Sequence, residues 1–198
     1  TIAAMLPPEW NKRLVDLNVS PLKQSDLAWA DFAFVSGMVV QRDSAIKVID
    51  SCKAAGVTVV AGGPLFTAEY ESFEKVDHFI LNEGELTLPP FLVDLENGTP
   101  QRVYASEEYA DMLQSPVPMW ELVEMKKYDS MSIQLSRGCP FNCEFCNVTA
   151  LLGHKPRLKS KDQIIAELEK MYRLGWHRNV FFVDDNCIGN KGCLKEER

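Results

Sequence analysis

Three features are missing from this sequence, and each absence removes a class of function. There is no block of lysine or arginine: 21 basic residues face 28 acidic ones, a formal charge of −7, and the acids are scattered. Tracking a phosphate backbone takes a basic stripe, so nucleic acid is not an expected partner. No apolar run approaches the roughly 20 residues of a membrane helix, and Thr1 to Trp10 lack a basic region followed by a long apolar stretch. No transmembrane segment is expected, and the expected compartment is the cytoplasm. Cysteine is scarce too, six in 198 residues, which is too few for a disulfide scaffold. With 46% apolar and 25% charged residues, and neither repeats nor low-complexity segments, the chain falls in the globular range. It can bury one sizeable core or two small ones.

What is present begins with alternating strand and helix patterns. Leu14 to Val19 and Ala30 to Val35 are short apolar stretches of the kind that form buried parallel strands. A helix is expected over Asp43 to Ala55, with Ala45, Val48, Ile49 and Cys52 on one face and Gly56 at its C-cap. Strands are expected over Val57 to Ala61 and His78 to Leu81, then a helix over Leu86 to Leu95. This predicts an α/β fold over residues 1–97, a doubly wound Rossmann-like domain whose ligand lies over the carboxyl ends of the strands. Pro100, Pro116 and Pro118 break the pattern, so residues 98–128 are expected to be a linker. Residues 129–198 then read as strand, cysteine loop, helix over Lys161 to Leu174, and strand over Asn179 to Val183. Thr1 to Leu6 reads as the tail of a helix, and the chain is expected to be a piece of a longer protein.

Three of the six cysteines fall within eight residues, as Cys139-x3-Cys143-x2-Cys146. Three thiolates can hold three irons of a cubane cluster while the fourth iron keeps an open position for a ligand. The competing metal is zinc, with His154 or Cys187 as fourth ligand, although zinc pairs are usually spaced Cys-x2-Cys. A loop between a strand and a helix is where a barrel-like fold presents its active site. Cys52 reads as a core residue, and Cys187 and Cys193 have no partner spacing. Arg157 and Lys159 are read either as partners of a cofactor carboxylate or as a solvated basic face.

Around the cysteines, Gln134-Leu-Ser-Arg-Gly-Cys-Pro-Phe-Asn-Cys-Glu-Phe-Cys-Asn-Val-Thr149 resembles the signature of the radical S-adenosylmethionine (SAM) superfamily. With Leu81-Asn-Glu-Gly-Glu-Leu-Thr-Leu-Pro-Pro-Phe91 and Phe182-Val-Asp-Asp-Asn-Cys-Ile-Gly-Asn-Lys191, nearly the whole chain is similar to the cobalamin-binding-domain radical SAM family. The branch is the one that includes the hopanoid C-2 methylase. The resemblance implies that Cys139, Cys143 and Cys146 ligate a [4Fe–4S] cluster and that the open iron binds the amino and carboxylate groups of SAM. An electron from the cluster, replenished by an external donor, then cleaves the sulfonium to methionine and a 5′-deoxyadenosyl radical. Phe145 is implied to lie near the adenine, ordinary packing being the alternative. Asp184 and Asp185 are implied contacts of the SAM amino group or ribose, with helix N-capping as the plainer role.

Ser36-Gly37-Met38 after one strand and Gly62-Gly63 after the next resemble the two short motifs of cobalamin-binding domains, where small residues let a flat corrin approach the backbone. Val39, Val40 and Gln41 would cover a corrin face or simply pack. The implied fold is therefore a cobalamin-binding-like domain followed by the start of a partial (β/α) barrel, and such a piece is expected to hold the cluster at most. The implied reaction moves a methyl group from methylcobalamin to an unactivated carbon of a small-molecule or lipid-like substrate. Two alternatives stand beside it: an oxidative cyclase of tetrapyrrole synthesis with the same layout, and a non-catalytic cobalamin- or metal-binding module.

Overall fold

The computed structural model of the chain describes residues 1–184. They form two compact units, Val15–Ala110 and a second that joins Thr1–Leu14 to the chain from Asp111 onward. The second unit opens with the short helix α1 (Ile2–Met5).

In the first unit, α2 (Gln24–Trp29) precedes β1 (Phe32–Ser36), α3 (Arg42–Ala54), β2 (Thr58–Gly62), α4 (Pro64–Glu69), β3 (His78–Ile80), α5 (Gly84–Glu96) and β4 (Val103–Tyr104). The strands form one parallel sheet in the order β1-β2-β3-β4. Side chains alternate across it. Val59, Ala61 and Phe79 join Ile49 and Cys52 of α3 and Leu65 and Phe66 of α4 in one buried cluster. On α5, Phe91 meets Phe34 and Tyr104 edge-on, with ring centroids 6.5 and 5.5 Å apart. The helix keeps its course through Pro89 and Pro90 although each proline removes an amide donor.

Burial raises the pKa of the Cys52 thiol, as expected of a core residue. Asp77 anchors the amino end of β2. Both of its oxygens accept from Lys53 Nζ at 2.7 Å, and Oδ2 also accepts from the Val59 N–H at 2.8 Å. Burial alone would raise the Asp77 pKa, but these hydrogen bonds and the Lys53 charge together bring it below the usual value. A depressed carboxylate contributes stability that is complete above its unfolded pKa and is lost as the pH falls through its folded pKa. Asp77→Asn should therefore lower stability by about 1 kcal/mol at pH 7. That gap should close on acidification below about pH 4, as urea midpoints for the two proteins at pH 7 and pH 3 would show.

Two expectations fail here. Leu14 to Val19 is not a strand: the Asp16 carboxylate accepts from the Asn18 N–H at 2.9 Å and the Asp16 carbonyl from Val19 and Ser20, which turns the chain. The stretch expected as a linker, residues 98–128, is divided between the units. Its start supplies β4, which pairs with β3, while Trp120, Val123, Met125 and Tyr128 pack on the core of the second unit.

That second core is a βαβ arrangement. After α1 come β5 (Met131–Ile133), β6 (Ser136–Arg137), α6 (Val148–Leu152), β7 (Arg157–Leu158), α7 (Lys161–Arg173) and β8 (Val180–Phe182). β5 and β8 pair in parallel, and Met131, Ile133, Met171 and Trp176 are buried between that pair and α7. The Ser160 hydroxyl caps α7, accepting from the Gln163 N–H at 3.2 Å while the Gln163 side chain accepts from the Ser160 N–H at 2.8 Å. Among the described residues no helix is long and apolar enough to cross a membrane.

Candidate functional site

The cysteine loop is an excursion with a closed base. β6 and β7 pair antiparallel, Ser136 with Leu158 and Arg137 with Arg157, so the chain leaves and re-enters at the same place. Just inside, the Cys139 N–H donates to the Gly153 carbonyl at 3.1 Å, and Arg157 Nη2 donates to the Leu152 carbonyl at 2.9 Å. Gly138 sits at that crossing with φ +92°. A Cβ there would stand 2.7 Å from the Lys155 carbonyl, so both its backbone angle and its surroundings require glycine.

Cys139 and Cys146 are half-buried and Cys143 is exposed. The Cys146 N–H donates to the Cys143 carbonyl at 3.0 Å, a tight turn that puts these two on one short arc. The loop gathers the cysteines without converging them: among the described residues no three His, Cys, Asp or Glu side chains are close enough to hold a metal ion. In donor chemistry the set fits an iron–sulfur cluster, being three thiols with one missing corner. Phe145 is 92% exposed, so packing does not account for it among the described residues. His154 is exposed on the way out of the loop.

Asp184 lies past the end of β8. Its Oδ1 accepts from the Leu135 N–H at 3.0 Å, the Ser136 hydroxyl at 2.8 Å and the Ser136 N–H, while Oδ2 is buried with no hydrogen-bond partner among the described residues. Asp185, Cys187 and Cys193 lie outside the described residues. Lys159 is neither solvated nor aimed at a cofactor: it is buried and donates to Glu167 Oε1 of α7 at 2.6 Å, both side chains being under 5% exposed. Sequence reasoning missed Glu167 and Ser136. A buried ion pair between the residue after a strand and a helix has no local spacing signature, although the basic run Lys155 to Lys161 could have prompted a search for its acid.

In the first unit, the carboxyl edge of the sheet brings the two small-residue motifs together. Ser36 and Gly62 are register partners on the last rung of β1 and β2. A Cβ on Gly62 would stand 2.6 Å from the Ile80 carbonyl, and one on Gly63, at φ +87°, would collide with the Ser36 hydroxyl. The Leu65 N–H donates to the Gly37 carbonyl at 3.1 Å, so α4 starts directly against the serine motif. Beside it Val39 is 47% and Val40 94% exposed, which leaves the packing alternative without support for Val40.

Comparison with known proteins bears on both units. Residues 133–196 match the family model described as the radical SAM superfamily. An uncharacterized methyltransferase of Synechocystis sp. is 45% identical over 98% of this chain, and the hopanoid C-2 methylase of Rhodopseudomonas palustris 41% identical over 96%. In each case the match covers 37% of the relative, so the chain spans little more than a third of their length. Among solved structures, the radical S-adenosylmethionine methyltransferase TsrM from Kitasatospora setae, with tryptophan substrate and a SAM analogue bound, superposes with a TM-score of 0.62. That match, at 15% identity, covers 81% of this chain and 38% of the other, and shows the fold: a Rossmann-like α/β unit followed by the start of a partial barrel.

Proposed function

This chain belongs to the radical SAM superfamily, and we propose that its protein is a cobalamin-dependent methyltransferase acting on an unactivated carbon. The observation that carries the reading is the closed-base loop bearing Cys139, Cys143 and Cys146 at the carboxyl end of a parallel strand pair. These three residues would hold a [4Fe–4S] cluster. When bound, the cluster and SAM supply one-electron cleavage of the sulfonium, and a corrin supplies the methyl group. Phe145 on the same loop offers an exposed ring for the adenine. Asp184 offers its buried Oδ2 to a donor, which suits the SAM amino group or a ribose hydroxyl, and Asp185 stands next to it in sequence.

The carboxyl edge formed by Ser36, Gly37, Gly62 and Gly63 would take the cobalamin, because a doubly wound sheet binds its ligand outside the carboxyl ends of its strands and small residues there let a flat ligand approach the backbone. Exposed Val39 and Val40 would flank its face. The substrate would be a small or lipid-like molecule, the electron would come from an external donor, and the protein would act in the cytoplasm. Residues 15–110 would form the corrin-binding domain, and the chain from residue 111 the start of the radical domain.

The test is anaerobic incubation of the full-length protein with reductant, hydroxocobalamin and methyl-labelled SAM. Label in the substrate together with 5′-deoxyadenosine is the expected result. A modified product without label would point instead to an oxidative cyclase, and a bound cluster forming no 5′-deoxyadenosine to a non-catalytic module.

A further inference from the structure

We infer that Asp184 is a positioning residue for the cysteine loop, acting through the backbone of Leu135 and Ser136. The need for it arises where the sheet stops. The β5–β8 pairing continues as far as the Val183 N–H, which donates to the Ile133 carbonyl at 2.9 Å. The chain then leaves β5, and β6 begins only at Ser136. The Leu135 and Ser136 amides fall in this gap, Ser136 is buried, and buried amides need acceptors.

One carboxylate oxygen meets that need. Asp184 Oδ1 takes the Leu135 N–H at 3.0 Å, the Ser136 hydroxyl at 2.8 Å and the Ser136 N–H. From the other side the Leu135 carbonyl accepts from the Lys159 N–H at 2.9 Å, so the gap is held from β8 and from β7 at once. Three residues past Ser136 lies Cys139, with Gly138 fixed at the loop base between them. A side chain presented by the second strand of the parallel pair thus sets where the loop begins. Its effect on the cluster rests on the function proposed above, whereas the clamp itself does not.

The experiment compares wild type, Asp184→Ala and Asp184→Asn in the full-length protein. It measures amide hydrogen exchange across residues 133–138 and across α7, iron and zinc content after anaerobic reconstitution, and the electron paramagnetic resonance spectrum of the reduced protein. Asp184→Ala should speed exchange at Leu135 and Ser136 by about 10- to 100-fold, leave α7 unchanged, and alter the cluster spectrum or lower its occupancy. Asp184→Asn keeps an acceptor oxygen and should retain most of the protection and the spectrum. Unchanged exchange and spectrum in Asp184→Ala would overturn the inference, as would equal damage from both variants, which would indicate that the charge serves a ligand. If Asp184→Ala fails to fold, exchange in the wild type carries the decision: Leu135 and Ser136 amides protected as strongly as that of Val183 support the inference, and unprotected exchange at both overturns it. Zinc in the wild type would sink the proposed function, while the exchange data would still decide the clamp.

Discussion

Replacing Cys143 with alanine should remove the cluster and all SAM cleavage, while leaving the fold intact. The thiol is exposed and supports no packing, so its loss has little structural cost. For metal binding the change is drastic. Two thiols cannot occupy three corners of a cubane, and an outer-shell change alone typically costs 10- to 100-fold in affinity or activity; loss of a ligand should exceed about 100-fold. Iron and sulfide counted after anaerobic reconstitution should fall from about four of each per chain to a small fraction of that. Far-ultraviolet circular dichroism, which reads the backbone, should stay that of wild type. Zinc in place of iron in the wild-type protein would overturn the assignment, and full iron retention in Cys143→Ala would show that another residue completes the set.

Glu167→Ala should be the most damaging single change to stability. Glu167 and Lys159 are both almost completely enclosed, and their atoms meet at 2.6 Å. Water cannot replace the lost partner, so the variant leaves an ammonium buried without its counter-charge, at a cost of about 3–5 kcal/mol. At roughly 2–4 °C per kcal/mol for a chain of this size, the melting temperature should fall by about 6–20 °C. The pair itself is a different matter. Lys159→Met with Glu167→Leu removes both desolvation penalties, and that double variant should be about as stable as wild type or more so. A thermal double-mutant cycle measures both quantities, and a mild Glu167→Ala would mean that Lys159 reaches water in solution.

The parallel sheet could be read from the sequence because apolar strands, amphipathic helices and terminal glycines all agreed over residues 30–97. Where local and tertiary preference part, sequence was less informative. Val103–Tyr104 is a two-residue strand, too short for any period, and only its partner β3 defines it. Leu14 to Val19 had the apolar content of a strand, but Asp16 captured the backbone in a turn. The cysteine cluster was legible because it is a pattern of spacing along the chain itself. Lys159 was misread because exposure is the usual fate of lysine, and its buried partner lies eight residues on in a helix whose own pattern gave no reason to look. Asp184 was visible as a polar residue closing a strand, but not the backbone gap it fills, which depends on where another strand ends.

The ladder between β6 and β7 also bears on how a cluster would be assembled. Bringing the ends of a long flexible segment together has an entropic cost that grows with its length. Here the pairs Ser136–Leu158 and Arg137–Arg157 hold the loop ends together, so the polypeptide's own fold meets that cost. If the proposed cluster forms here, the three thiols would meet iron and sulfide at an effective concentration set by a short tethered arc. Maturation of the proposed cluster would then start from a loop already closed by this hairpin and held at its entry by Asp184.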